Sequence, residues 1–403
     1  MAVLAYFVIL GLAEGIWIDR IPAVKAGLHL TDGLLGASLL AGPGALVLVM
    51  PLTGWLADRF GSARLTRPAG LAVAILPLAL WTARTLPTVI GALVAFGIAG
   101  GVLAVAVNAQ GVRVERGYRR PLMASFHASY SLGGLAGAVL GGLLAWWRAG
   151  GLAGALGSIV LVGVAAALVA GGRLLPEPAG VRPGRTRWPQ PRILARGRWR
   201  GCGPRRLVVL GLLALCCVIA EGAVGSWSGI YLRDVLDTSR WFVVAGFAGF
   251  SLAMAAGRLA GDRLVARYGP AGLVRRCGLL AVAGLAGALA THHAGVAVAG
   301  FAACGGGLSC TVPQLFSAAG KADPDHPARA VAQVGGLGYL GLVAGPVLIG
   351  GCASLAGLTT ALYLTAGLAL CVAGFAYLLD RPVVSEPLLS GTEPGRSAGS
   401  RSR

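Results

Sequence analysis

The sequence predicts an all-α polytopic membrane protein with twelve transmembrane helices in two six-helix, pseudo-symmetric halves. Three observations predict this class. Of the 403 residues, 56% are apolar and only 12% are charged, which is too little charge to cover a soluble protein of this size. The apolar residues form runs long enough to span a bilayer. Landmarks of the first half of the chain also recur, in the same order, in the second half.

The apolar runs set the number of helices, because each bilayer-crossing helix needs ~20 mostly apolar residues. Runs of this kind number twelve, and they lie at residues 2–20, 33–56, 68–84, 87–110, 122–146, 151–171, 207–231, 240–260, 272–292, 294–318, 329–351 and 356–379. The 65 glycines fit this class, since glycine lets transmembrane helices approach closely.

The segments between the runs define the domain organisation. We expect residues 1–172 to form the N-terminal half and residues 207–380 to form the C-terminal half. Residues 173–206 carry ten arginines and one acidic residue without apolar periodicity, which predicts a basic linker on the cytoplasmic membrane surface. Residues 381–403 are rich in Ser, Gly and Pro, and we expect a disordered cytoplasmic tail.

Lysine and arginine predict the orientation. With the N-terminus in the cytoplasm, 28 of the 34 basic residues fall on the cytoplasmic side, counting the linker and the tail. We therefore expect a multi-pass protein of the inner (plasma) membrane with both termini in the cytoplasm. The net charge of +19 is explained by these loops, so no nucleic-acid partner is expected. Because the first run starts at residue 2 without signal-peptide features, we expect a short cytoplasmic segment to precede it.

The chain carries no pattern of a catalytic or cofactor site. Its eight cysteines lack CxxC spacing, and GxxxxGK[ST], HExxH and GxSxG motifs are absent from the sequence. We expect no enzyme activity, no cofactor and no metal. The expected partners are a small-molecule substrate, protons and the lipid bilayer, and the expected state is a monomer.

A recognisable charged motif of the N-terminal half is GWLADRFGSARLTR at residues 54–67. Gly54 suits a close helix crossing and Gly61 suits a tight turn. Asp58 stands where the second run leaves the membrane, and its carboxylate can pair with Arg59 or Arg64 and face the positive N-terminal end of a helix that starts on the same side. The alternative is a topological anchor with solvated charges.

A close copy of this motif, GRLAGDRLVARYGPAGLVRR, stands at residues 257–276, and its arginines are counted with the basic residues of the cytoplasmic side. The copy contains Gly257, Asp262 and Arg263. Four landmarks recur at offsets of 204 to 208 residues, which predicts a parallel repeat. The landmark pairs are Glu14 and Glu221, Asp58 and Asp262, Gln110 and Gln314, and Gly137 and Gly345.

With these motifs the chain resembles the major facilitator superfamily, whose pattern covers all twelve runs. Residues 108–138 and 20–28 are similar to the fucose-permease-like branch of that superfamily. The resemblance implies a transporter in which Asp58 meets the eleventh helix and closes the inner gate. The fourth run lacks both the arginine-glutamine-glycine motif of drug antiporters and the glutamate expected for sugar-proton symport, so both subfamilies stay open.

Acidic residues inside the apolar runs are the first candidates for the transport site, because a charge at mid-bilayer costs roughly 2.5 to 3.5 kcal/mol. Glu221 shares a helix face with Ser228, and this face could line a cavity. Glu14 shares a face with Trp17, which would suit a polar or ring-bearing substrate. Either glutamate could carry a proton, and either could instead be a neutral acid that is hydrogen-bonded between helices.

Further candidates are neutral or titratable polar residues. His127 shares a face with Ser131 and titrates in the physiological range. Asn108 and Gln314 lie in the fourth and tenth runs, where amides line cavities or hold helices together. The sequence therefore favours a secondary transporter that takes up a sugar-like solute with protons. A proton-coupled efflux antiporter and a transport-inactive sensor of the same fold remain as alternatives.

Overall fold

The computed structural model describes residues 1–146, 152–175 and 204–380, which are almost entirely α-helical and contain no strand. Most of the expected linker (176–203) and the expected tail (381–403) lie outside the described residues. The helices, in chain order, are α1 (Ala2–Gly27), α2 (Asp32–Leu39), α3 (Ala41–Phe60), α4 (Ser62–Thr82), α5 (Leu86–Tyr118), α6 (Met123–Trp146), α7 (Leu152–Gly171), α8 (Pro204–Ile230), α9 (Arg240–Tyr268), α10 (Pro270–Ala290), α11 (Ala294–Leu308), α12 (Thr311–Ala322), α13 (Pro327–Ala356) and α14 (Leu358–Phe375).

Within the described ranges, nine helical stretches are long and apolar enough to cross a membrane, and the shorter apolar helices are Ala2–Ile18 and Val160–Gly171. The helices follow the predicted runs in order, so the all-helical membrane class is confirmed, while the count of twelve crossings stays a prediction. A short π-helix (Tyr231–Val235) continues α8, and a 3-10 turn (Ala376–Leu379) continues α14.

Two predicted runs are each divided into two helices. The second run contains α2 and α3, and the tenth run contains α11 and α12. Proline explains both breaks, because it lacks the N–H that would bond the carbonyl four residues earlier. Pro43 and Pro313 are the third residues of α3 and α12, so the carbonyls of Leu39 and Ser309 lose their helical donors.

Helix contacts in the two halves correspond. The first helix α1 packs along α6, and α8 packs along α13 in the same way. Likewise α5 packs on α3 and α4, while α11 packs on α9 and α10. Glycines permit the close approach in both halves. A Cβ added to Gly137 would lie 2.9 Å from the carbonyl carbon of Leu12, and one on Gly338 would lie 2.8 Å from Ala214 Cβ.

The two halves meet through α3 against α13 and through α6 against α9. We call the end of the bundle that contains Asp58, Glu115 and Asp262 the closed end. At this end α3 turns into α4 at Gly61 (φ 97°), and α9 turns into α10 at Gly269 (φ 70°). These positive φ angles favour glycine, as the sequence predicts for Gly61. The 3-10 turn after α14 also lies here, because Asp380 Oδ1 accepts a 3.3 Å bond from the Ala271 amide of α10.

Candidate functional site

At the closed end, Asp58 binds the first turn of α13. Its two carboxylate oxygens each accept a 3.1 Å hydrogen bond, one from the amide of Ala328 and one from the amide of Arg329. The Arg329 Nε lies 3.9 Å from the same carboxylate. A negative charge is stabilised there by unpaired N–H groups and by the helix dipole. Asp58 therefore faces the N-terminal end of a helix, as the sequence predicts. This helix, α13, corresponds to the eleventh apolar run.

The arginines expected beside Asp58 take other positions. The Arg59 guanidinium lies 5.3 Å from the Trp55 ring centroid and 5.4 Å from that of Phe60. Arg64 is exposed at the start of α4. The pairing of Asp58 with Arg59 or Arg64 is therefore wrong, because the carboxylate points across the interface between the halves, away from its own loop.

Asp262 makes the corresponding contact in the second half. Its carboxylate accepts hydrogen bonds of 3.0 Å and 3.1 Å from the amides of Ala124 and Ser125, in the first turn of α6. The neighbouring Arg263 is exposed. Each half thus presents one carboxylate to the N-terminal end of a helix from the other half, as a twofold repeat requires.

Glu115 adds a third carboxylate contact at the closed end. It accepts bonds of 3.1 Å and 3.2 Å from the amides of Leu122 and Met123, at the start of α6. It also accepts a bond from the Ser317 hydroxyl and lies 2.7 Å from Lys321 Nζ, both on α12. Glu115 was not singled out from the sequence, since it lies in an arginine-rich stretch that reads as a loop.

Glycines allow the halves to approach at the closed end. A Cβ on Gly54 would lie 2.7 Å from Ala332 Cβ on α13. Gly261 lies against Ala124 of α6, and Gly257 lies against Ser309 at the break before α12. Any larger residue at Gly54 would separate α3 from α13. The glycines of both motif copies therefore allow close contact between helices, as the sequence predicts for Gly54.

Farther from the closed end, Arg258 lies between the two halves. It stands one turn before Asp262 on α9 and is only 7% exposed. Its Nη1 donates a 2.7 Å hydrogen bond to the Ser131 hydroxyl on α6, and its Nη2 lies 3.8 Å from Glu221 Oε2 on α8. The charge count groups Arg258 with the exposed basic residues of the cytoplasmic side, and this is wrong, because α9 continues through Tyr268 and Arg258 is buried in it.

The break between α11 and α12 also positions Arg258. Pro313 leaves the carbonyl of Ser309 without its helical donor, and Arg258 Nε donates to that oxygen at 3.3 Å. Because of the proline in α12, the Ser309 carbonyl is available to accept a hydrogen bond from a charged side chain of α9. The sequence signal for Arg258 is its spacing of four residues from Asp262, which places both side chains on one helix face.

The second candidate glutamate, Glu14, accepts a hydrogen bond from the Tyr130 hydroxyl across the contact of α1 with α6. Tyr339 on α13 lies within electrostatic range of both Glu14 and Glu221, so it stands between the repeat-related acids of the two halves. Tyr339 has no distinguishing signal in the sequence, since it is one aromatic residue in an apolar run.

His127 and Asn108 are brought together at the base of this cluster. The His127 Nε2 lies 3.3 Å from Asn108 Oδ1, within hydrogen-bond distance. The imidazole ring centroid lies 5.1 Å from that of Phe7 and 5.8 Å from that of Phe316. Both polar side chains are buried, at 7% and 2% exposure. The pair forms a polar contact in an aromatic environment below the two glutamates.

Space is available on the side of Glu221 that faces away from the closed end. The Glu221 side chain is 21% exposed although it lies in the middle of α8. Gly225, one turn farther along the same face, has no heavy atom within 4 Å of an added Cβ. Glu221 is therefore partly accessible, while the three carboxylate contacts close the other side.

Among the described residues, three of the predicted site residues have no hydrogen bond or ion pair with this cluster. Trp17 is buried among apolar side chains that include Leu80 and Leu93. Ser228 is fully buried in α8, and Gln314 is 3% exposed in α12. The structure therefore brings together Glu14, Glu221, Ser131, His127 and Asn108, with Arg258, Tyr130 and Tyr339 added.

Comparison with known proteins identifies the family. The model of the Major Facilitator Superfamily matches residues 2–335. An uncharacterized MFS-type transporter of Yersinia pestis is 33% identical over 379 residues, covering 94% of each chain. The membrane protein MosC of Rhizobium meliloti is 31% identical over 387 residues, covering 96% of this chain and 91% of that protein.

Solved structures share the fold at low identity. The human organic anion transporter MFSD10 superposes with a TM-score of 0.73 at 19% identity, and the fucose:proton symporter FucP of E. coli with a TM-score of 0.69 at 16% identity. Each alignment covers 94% of this chain and 98% of the other. The predicted family and fold are thereby confirmed. The chain belongs to the Major Facilitator Superfamily and is a multi-pass membrane transporter.

Proposed function

We propose that the protein is a proton-coupled secondary transporter that takes up a small polar solute by alternating access. One observation carries the proposal. Glu221 and Arg258 lie 3.8 Å apart at the junction of the two halves, with the Glu14–Tyr130 hydrogen bond close by. Ionisable residues inside a membrane protein mark substrate and ion pathways. The cluster supplies hydrogen-bond partners for a polar solute and two acids for a proton.

Alternating access follows from the contacts at the closed end. Residues 1–172 and 207–380 are the two bodies that move, and residues 173–206 connect them. In the described conformation, Asp58, Glu115 and Asp262 hold the closed end together. In the alternate conformation these contacts separate and the halves close over Glu14 and Glu221. The closed end faces the cytoplasm of a bacterial inner membrane, which follows from the basic residues of its loops.

The partial exposure of Glu221 and the free space beside Gly225 support uptake as the direction of transport. The site faces away from the proposed cytoplasmic end, so a solute and a proton from outside reach it first. The name of FucP, a fucose:proton symporter, is compatible with this reading. Proton-coupled efflux would use the same residues in the reverse cycle. A transport-inactive sensor would have no need of a partly exposed acid at this position.

The test uses purified full-length protein in liposomes that contain a pH-sensitive dye. Sugars, polyols, sugar acids and amino sugars are added outside, with an inward or an outward proton gradient. We expect at least one solute to drive proton entry, and Glu221→Gln to reduce this flux at least tenfold. Asp234→Asn is the matched control, because Asp234 follows the same helix and pairs with Arg233 at an exposed position.

Three results would contradict the proposal. Absence of solute-driven proton flux with every probe argues for a sensor. Flux that requires an outward solute gradient and exchanges protons in the opposite direction argues for efflux. Full activity of Glu221→Gln would remove that acid from the coupling mechanism.

A further inference from the structure

Arg258 is held in one orientation by two contacts with different helices. Its Nη1 donates to the Ser131 hydroxyl at 2.7 Å, and its Nε donates to the Ser309 carbonyl at 3.3 Å. Both acceptors are neutral. A buried guanidinium at this depth is costly, so a group that only held helices together would be expected to have its charge fully paired.

The charge of Arg258 is only partly paired. Guanidinium carries five N–H donors, and among the described residues Arg258 makes two hydrogen bonds. Its Nη2 lies 3.8 Å from Glu221 Oε2, which is beyond hydrogen-bond distance. The edge formed by Nη1 and Nη2 therefore keeps unused donors next to the partly exposed carboxylate of Glu221. Such an edge matches a planar oxyanion, which takes two parallel N–H···O bonds.

We infer that the transported solute carries a carboxylate, which binds the Nη1 and Nη2 edge of Arg258, and hydroxyl groups, which bind near Tyr130 and Glu14. The substrate class is a small hydroxycarboxylate, such as a sugar acid. This inference rests on the proposed function and adds the charge of the solute to it.

The same contacts couple the solute to a proton. When the solute carboxylate binds Arg258, it displaces the Glu221 carboxylate from its cation. Glu221 then takes one proton from solvent and forms an O–H bond, while no bond of the solute breaks. The other titratable groups that interact with Glu221 are the Cys217 and Cys304 thiols and the Tyr339 hydroxyl, and none of these is a cation. One monocarboxylate therefore travels with one proton, and the step carries no net charge.

The test compares solutes that share a carbon skeleton and differ in charge. One set is gluconate, glucitol and glucamine, and the other is glucuronate, glucose and glucosamine. Proton entry is followed in liposomes that contain the purified full-length protein, with protein-free liposomes as the blank. We expect a carboxylate to drive proton entry at least tenfold faster than its neutral and amine counterparts. A membrane potential set with potassium and valinomycin should change the initial rate less than twofold.

Variants at position 258 provide an independent measurement. Arg258→Gln should reduce carboxylate-driven flux at least tenfold, and Arg258→Lys should raise KM more than it lowers kcat, because lysine keeps the charge without the bidentate edge. If Arg258→Gln does not fold, two measurements on the unmodified protein test the inference. These are the preference for carboxylates over neutral and amine solutes, and the effect of the membrane potential on the rate. Glu221-dependent flux driven by neutral or amine solutes would overturn the carboxylate inference alone. Absence of flux with all six probes would count against the proposed function as well.

Discussion

The Nη1 of Arg258 on α9 donates a 2.7 Å hydrogen bond to the hydroxyl of Ser131 on α6. The bond joins the C-terminal half to the N-terminal half at the depth of the two glutamates. It is shorter than the 3.3 Å bond of Nε to the Ser309 carbonyl and the 3.8 Å separation of Nη2 from Glu221. Motion of α9 against α6 during transport must therefore move the charge that faces Glu221.

Ser131→Ala removes this acceptor and should reduce solute-driven proton flux at least fivefold. Buried hydrogen bonds to charged groups contribute about 1.5–3 kcal/mol, and the loss leaves Arg258 less well oriented. The measurement is the initial rate of proton entry in liposomes. Ser129→Ala is the matched control, because the Ser129 hydroxyl donates only to the Ser125 carbonyl of its own helix. Equal rates in the two variants would show that the Ser131 contact is not needed.

Gly54→Val should hold α3 and α13 apart and open the closed end. Its Cβ would lie 2.7 Å from Ala332 Cβ and 3.0 Å from the Arg329 Cα, so the helices must shift. The readout is maleimide labelling of Val331→Cys, a buried position, in a background without the native cysteines. We expect labelling at least tenfold faster than in the parent. Gly44→Val on the same helix should label like the parent, since nothing lies within 4 Å of its added Cβ.

Asp58→Asn and Asp262→Asn should each shift the protein toward the conformation with the closed end open. Asparagine keeps the size of the side chain but loses the charge that stabilises two backbone N–H bonds in each case. A loss of about 1.4 kcal/mol changes the conformational ratio tenfold. Labelling of Val331→Cys should rise in both variants. Asp325→Asn is the control, because Asp325 is exposed at the same end, and a rise there would contradict the assignment.

Glu115→Gln should lower the thermal stability of the purified protein more than Lys321→Ala does. Glu115 is 4% exposed and accepts bonds from α6 and α12, whereas the Lys321 side chain is 50% exposed. Exposed ion pairs contribute about 0–1 kcal/mol, but a buried carboxylate with several donors contributes more. The unfolding temperature of each variant in detergent measures the difference. A larger effect of Lys321→Ala would show that the ion pair contributes more to stability than the buried hydrogen bonds of Glu115.

The membrane class and the helix order could be predicted from the sequence, because a hydrocarbon environment forces long apolar runs whose positions are visible without a structure. Glu14 and Glu221 could be found for the same reason, since acids inside such runs are rare. Arg258 could not be placed, because it lies near the end of a run, where apolar content does not separate a buried residue from a loop residue. Its role depends on helix rotation, and the inserted Gly261 changes the rotation by about 100° relative to the first motif copy.

The eleventh helix is expected as the partner of Asp58 from the family resemblance, but the residues themselves do not identify the helix partners at the closed end, for a different reason. Asp58, Asp262 and Glu115 accept hydrogen bonds from backbone amides, which every residue except proline carries, so no side-chain pattern marks the donor helices. Trp17 illustrates the converse. Its aromatic side chain could bind a substrate, yet it is buried in an apolar cluster with Leu80 and Leu93.

The recognition of backbone amides at the first turns of α6 and α13 also bears on how this transporter can vary. The side chains at positions 122 to 125, 328 and 329 can change without removing the donors to Glu115, Asp262 and Asp58. The first turn of a helix normally accepts proline well. At these six positions proline alone would delete a donor, and Pro121 and Pro327 stand directly before the donors begin. Homologues with the same gate should therefore lack proline at these six positions, while packing limits the size of the buried side chains at 123, 124 and 328.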